Sequence, residues 1–70
     1  MLGMAKRKAK KPAYTPEQIH AIRTRLQLTQ TEAAEKLGAT LRTWQYWESG
    51  ERNPSPQAVL LLKMLADGKL

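Results

Sequence analysis

Arg42, Gln45, Tyr46 and Ser49 fall at spacing i, i+3, i+4 and i+7 within "ATLRTWQYWESGERNPSP", residues 39–56. On a helix that spacing places all four side chains on one face. Their chemistry suits base edges. A guanidinium can bridge guanine O6 and N7, a carboxamide can pair with adenine, and a phenol can offer its ring to a thymine methyl or its hydroxyl to a polar edge. The same residues also make an ordinary solvated face, with Arg42 a free charge and Tyr46 a half-buried rim residue. Trp44 and Trp47, between them, have the i, i+3 spacing that faces a core. The chain has only four aromatic residues, so this one segment holds most of its large apolar rings as well as its best polar row.

Four helices are expected to position these groups. In "YTPEQ", Thr15 is an N-cap, Pro16 the first helical residue and Gln18 the capping-box partner. Ile19, Ile22 and Leu26 continue at helical spacing, which predicts a helix over about residues 16–26. "LTQTEAAEKLGA" repeats the device with Thr29 and Glu32. Ala33, Ala34 and Leu37 face inward over about 30–37, and Gly38 closes the helix in a left-handed conformation. Thr40 caps a third helix over 41–49, ended by Gly50. "ERNPSP" is a turn, and Ser55-Pro56 opens a fourth helix over about 56–67, stopped by Gly68. No segment alternates for long enough to be a strand. The fold class is all-α, a compact bundle of four short helices, with Ile22, Leu26, Ala34, Leu37, Trp44, Trp47 and Leu62 as its core.

Seventy residues make one domain with a small core. The net charge of +6 is uneven. Lys6, Arg7, Lys8, Lys10 and Lys11 carry no accompanying acid, while the rest of the chain sets seven basic residues against six acidic ones. Residues 1–13 are therefore expected to be a basic disordered tail and 14–70 the folded domain. Such a tail seeks polyanions, nucleic-acid phosphate above all, or serves solubility alone. Met4 is a second candidate start residue. Cysteine is absent, which removes disulfides and thiolate metal sites and fits a reducing cytoplasm. The longest apolar run, Ala58–Leu62, is far too short to span a membrane, and the N-terminal segment lacks the apolar stretch of a secretory signal. His20, the one histidine, has no partner pattern for catalysis, and no glycine-rich phosphate loop, paired-carboxylate signature or metal spacing occurs. No enzymatic activity, cofactor or metal is expected.

Helices two and three, joined by a tight glycine-containing turn, form a helix-turn-helix outline, the arrangement that places one helix in a DNA major groove. Ala34 is small where the two helices cross. The segment "IRTRLQLTQTEAAEKLGATLRTWQYWESGERNPSPQAVLLL", and within it "LTQ", "AAEKLG", "W..WE.G" and "NPSP", resembles the lambda-repressor-like, Cro-like or Xre-type helix-turn-helix regulators, in particular the short domains of phage regulators and antitoxins. The likeness covers about Ile22 to Leu62. It departs from the pattern at Ala39, usually a larger residue. The chain also ends at Leu70, before the fifth helix that many relatives use in dimerisation, so no dimer interface is carried over.

The resemblance implies a transcriptional regulator, a repressor, that binds double-stranded DNA with the third helix in the major groove. Base contacts fall to Leu41, Arg42, Gln45 and Tyr46. Backbone contacts fall to Thr29, Gln30, Thr43, Ser49, Arg52 and Asn53, with the basic tail (Lys6, Arg7, Lys8, Lys10, Lys11) collecting phosphates or following the minor groove. It also implies that Arg23 pairs with Glu48 to orient the third helix. The fourth helix carries more apolar surface, Ala58 to Leu62 with Met64 and Leu65, than one face can hide. Some of Leu60, Leu61 and Met64 are therefore expected to meet another chain: a second copy on a two-fold-symmetric operator, or a partner protein such as a toxin in an antitoxin-type or adaptor role. RNA binding is a third reading, without the strand-borne aromatics of common RNA modules.

Overall fold

The computed structural model describes residues 14–70, so the basic cluster Lys6, Arg7, Lys8, Lys10 and Lys11 lies outside the described residues. Within them the chain is all-helical: α1 Pro16–Arg25, α2 Gln30–Lys36, α3 Leu41–Ser49 and α4 Pro56–Ala66. Each helix begins on a hydroxyl. Thr15, Thr29, Thr40 and Ser55 all have extended backbones and accept the amide of the third residue on, and Thr15–Gln18 and Thr29–Glu32 close full capping boxes.

Three helices end one residue before the bounds expected from the sequence. Leu26, Leu37 and Asp67 are C-caps with ψ near 0°, and the next residue turns left-handed: Gln27 at φ 59°, Gly38 at 72° and Gly68 at 76°. In each the chain folds back through a pair of amides onto earlier carbonyls, as in Leu28 N to Arg23 O and Ala39 N to Ala34 O. These are Schellman endings, which satisfy the last free carbonyls. Gln27 does without glycine what Gly38 and Gly68 do with it.

α3 packs against α2 and α1, and α4 against α1. The core is Ile19, Ile22, Ala33, Ala34, Leu37, Trp44, Trp47, Ala58, Leu62 and Leu65. Trp44 is fully buried, and its ring centroid lies 5.7 Å from that of Trp47 at a tilt of 59°. Leu26, expected within the core, is half-buried at its edge because the chain leaves α1 at that residue. Ala33 and Ala34 are both buried, so α2 presents only methyl groups to the core along this face. The two tryptophans thereby fix which face of α3 is turned outward.

Candidate nucleic-acid interface

The tryptophans leave Leu41, Arg42, Gln45 and Ser49 exposed on α3, with Thr43 and Tyr46 half-buried at its flanks. Behind that row sits one carboxylate with four partners. Glu48 accepts from Arg23 Nε at 2.6 Å and Arg23 Nη2 at 3.2 Å, from Trp44 Nε1 at 2.5 Å, and from Gln30 Nε2 at 3.3 Å. His20 Nδ1 lies 3.2 Å from Glu48 Oε1 and 3.2 Å from Arg23 Nη2, donating to the first or accepting from the second according to its tautomer. Arg23 also donates through Nη1 to the Leu28 carbonyl at 3.1 Å. One carboxylate thus joins α1, α2 and α3.

Burial pushes the Glu48 carboxyl up, but the hydrogen bonds from Arg23, Trp44, His20 and Gln30 outweigh it and hold the group at about 2 instead of 4.5. The same hydrogen bond from Arg23, opposed by burial and aided by the carboxylate charge, holds the guanidinium proton more tightly than usual. The side chains of Arg23 and Glu48 are 15% and 9% exposed, so both ions are largely withdrawn from water.

The network continues to the surface. Gln45 Nε2 donates to Gln30 Oε1 at 3.3 Å, and Gln30 in turn donates to Glu48. An exposed amide on α3 is therefore tied through α2 to the half-buried ion pair. At the start of α3, the Thr40 hydroxyl donates to that of Thr43 at 3.0 Å. At its end, the Ser49 hydroxyl donates to the Tyr46 carbonyl at 3.1 Å and accepts the Glu51 amide at 3.3 Å, which commits it to the turn. Arg52 comes back across that turn and rests its guanidinium 4.7 Å from the centroid of the Tyr46 ring. Thr29 spends its hydroxyl on its helix cap, and Asn53 is exposed in the turn. On α4, Leu60 is 63% and Met64 40% exposed, whereas Leu61 packs partly against the core.

Two roles were not visible in residue spacing alone. Trp44 reads as a core residue, yet its indole N–H is a ligand of Glu48; the i, i+4 separation of the two is the signal that was available. His20 reads as a surface histidine, and it is exposed, but α1 carries it one turn from Arg23 onto the same carboxylate. The contacts of Gln30 and His20 with Glu48 depend on how three helices pack, and no local pattern encodes that.

Two closely apposed helices with a tight turn, the second held by a half-buried ion pair and turning a polar row outward, define a helix-turn-helix protein. The chain belongs to the family of the antitoxin component of the bacterial toxin–antitoxin system, MqsA, whose profile matches residues 2–68. It is also similar to a type II methyltransferase, M.MspI, of Moraxella sp, 44% identical over 41 residues. That stretch is 59% of this chain and spans about a tenth of the length of the methyltransferase. No solved structure matches.

Proposed function

We propose that this chain is a sequence-specific regulator of the lambda-repressor-like, Cro-like or Xre type, which binds double-stranded DNA by laying α3 in the major groove. The observation that carries the reading is the chain of contacts from Gln45 through Gln30 to Glu48 and Arg23. A merely solvated face has no need of an amide fixed from the interior, whereas a base-reading amide gains by being oriented before it binds. Arg42 then meets a guanine edge, Gln45 an adenine and Leu41 a thymine methyl. Gln30, Thr29, Thr43, Ser49, Arg52 and Asn53 flank the groove near the phosphates, and the basic cluster at residues 6–11 adds sequence-independent attraction. Membership of an antitoxin family supports action inside a bacterial cell on a regulatory DNA site. Among the described residues, no helix is long and apolar enough to cross a membrane. The reading gives the chain no catalytic step.

The same exposed α4 residues, Leu60 and Met64, support self-association as a homodimer repressor on a two-fold operator with half-sites about 34–36 Å apart. They equally favour a second reading, in which α4 docks on a partner toxin, as the family's description suggests. Light scattering on the eluted chain separates the two, since a wholly monomeric solution state removes the homodimer. The primary test is selection of bound duplexes from a random library, followed by Arg42→Ala on the preferred sequence. The substitution should cost roughly 1–3 kcal/mol and relax preference at one base pair. A selection that returns no preferred sequence defeats the specific-regulator reading.

A further inference from the structure

We infer that Tyr46 acts as a positioning residue: its ring is a platform that holds the Arg52 guanidinium ready for a backbone phosphate at the far end of the α3 face. The inference rests on the DNA-binding reading above and replaces the direct base contact expected for Tyr46 from its spacing.

Three observations converge. Arg52 lies over the Tyr46 ring at 4.7 Å, within the distance at which a guanidinium is attracted to an aromatic face. The turn between them is closed on Tyr46 itself, whose carbonyl accepts from Gly50 N at 3.1 Å, Arg52 N at 3.3 Å and the Ser49 hydroxyl at 3.1 Å. The backbone of Arg52 is thereby anchored to the residue on which its side chain stacks. Finally, both ion pairs among the described residues belong to Glu48, and neither involves Arg52. A guanidinium held over a ring by its charge keeps N–H donors available for a further partner.

The chemistry follows from that geometry. A planar fork of donors, held near the ring and paired with no carboxylate among the described residues, suits a phosphate oxygen better than a base edge. A free arginine side chain gives up much rotamer freedom when it grips a phosphate; one already stacked gives up less. Tyr46 thus contributes to affinity through Arg52, and the contribution carries no sequence information. The covered face of the ring is correspondingly withdrawn from thymine methyl groups.

The test uses the full chain and the duplex chosen by selection, with affinity measured across a range of salt. Tyr46→Leu should weaken binding about 2- to 5-fold, the size expected of an exposed cation–π contact. Tyr46→Phe, which keeps the ring, should bind like wild type. Arg52→Ala should weaken binding further and flatten the salt slope by about 0.9, the loss of one phosphate contact. In the Arg52→Ala background, Tyr46→Leu should have no further effect. An NMR ring-current shift on the Arg52 side chain, absent in Tyr46→Leu, reports the stack without DNA, and unchanged thermal unfolding separates positioning from misfolding. Additive losses in the double variant, a Phe variant as weak as the Leu variant, or an altered preference at one base pair would each overturn the platform role while leaving DNA binding intact. Failure of the wild-type chain to bind any duplex would instead remove the DNA reading, and the platform role with it.

Discussion

Glu48→Gln is the most informative single change. It keeps the shape of the side chain, removes the charge and replaces one acceptor oxygen with an NH2 donor. The carboxyl sits at about 2 in the folded chain against an ordinary 4.5, a difference equivalent to about 3 kcal/mol at 1.36 kcal/mol per unit. Solvent reaches one side of the cluster through His20, whose side chain is 57% exposed, and screening there brings the figure to about 2 kcal/mol. The loss also strands the Arg23 guanidinium, which is 15% exposed, without its counter-charge. Removing one member of a well-buried pair costs roughly 3–5 kcal/mol, so about 2–3 kcal/mol is expected for this half-buried one. In a domain this small that corresponds to a fall in Tm on the order of 10 °C or more.

Urea and thermal unfolding followed by tryptophan fluorescence provide the assay, and pH provides the control. The folded pKa of Glu48 lies below its unfolded value. Its stabilisation is therefore fully present above about 4.5 and is lost as pH falls from there towards about 2. The stability gap between wild type and Glu48→Gln should be widest near pH 7 and close progressively across that window, because only the wild type carries this carboxylate. A gap that is absent at pH 7, or that stays constant down to pH 3, refutes the assignment of the energy to this carboxylate. Affinity for DNA should fall along with stability, since Gln30 loses the charged acceptor that holds it beside Gln45.

Backbone geometry and charge yield the other expectations. Gly50 ends α3 at φ 87°, and an added Cβ would lie 3.3 Å from Pro16 Cγ; Gly50→Ala should cost about 1–2 kcal/mol, and an unchanged urea midpoint would contradict the strain. Gln27 holds φ 59° while exposed, so Gln27→Gly should stabilise by about 0.5 kcal/mol, as relief of the left-handed strain exceeds the added chain entropy; a lowered midpoint would count against it. Deleting residues 1–11, which removes five basic side chains, should lower DNA affinity and flatten its salt dependence while leaving the preferred sequence unaltered. A changed preference in the selection would indicate that the tail reads the minor groove.

What was legible in the sequence was chiefly what is local. A hydroxyl that caps an amide three residues on, as in Thr15, Thr29, Thr40 and Ser55, needs only its own neighbourhood, and so do the i, i+3 tryptophans that orient α3. The helix ends were less legible, because the apolar period runs on through Leu26 and Leu37 while the backbone has already turned. Gln27 gave no warning, since the left-handed residue of a Schellman ending is usually read from a glycine. The pairing of Arg23 with Glu48 came from family resemblance and not from spacing, as the two lie 25 residues apart. The Tyr46–Arg52 stack crosses a non-helical turn, where no periodicity applies.

The placement of Glu48 suggests why this chain keeps an ion pair in a position that apolar side chains can often fill at equal or greater stability. Hydrophobic contacts hold α3 against the core and set which face is turned outward, but they offer nothing to direct an amide at the surface. A carboxylate is directional. By accepting from Arg23 on α1 and Gln30 on α2, Glu48 ties α3 to both helices and gives Gln30 a direction, which Gln30 passes to Gln45. On the DNA-binding reading proposed above, substitutions in the interior are expected to act on base preference at Gln45 as well as on stability, whereas Arg42, which stands clear of the network on the exposed face, should keep its preference until the helix itself is lost.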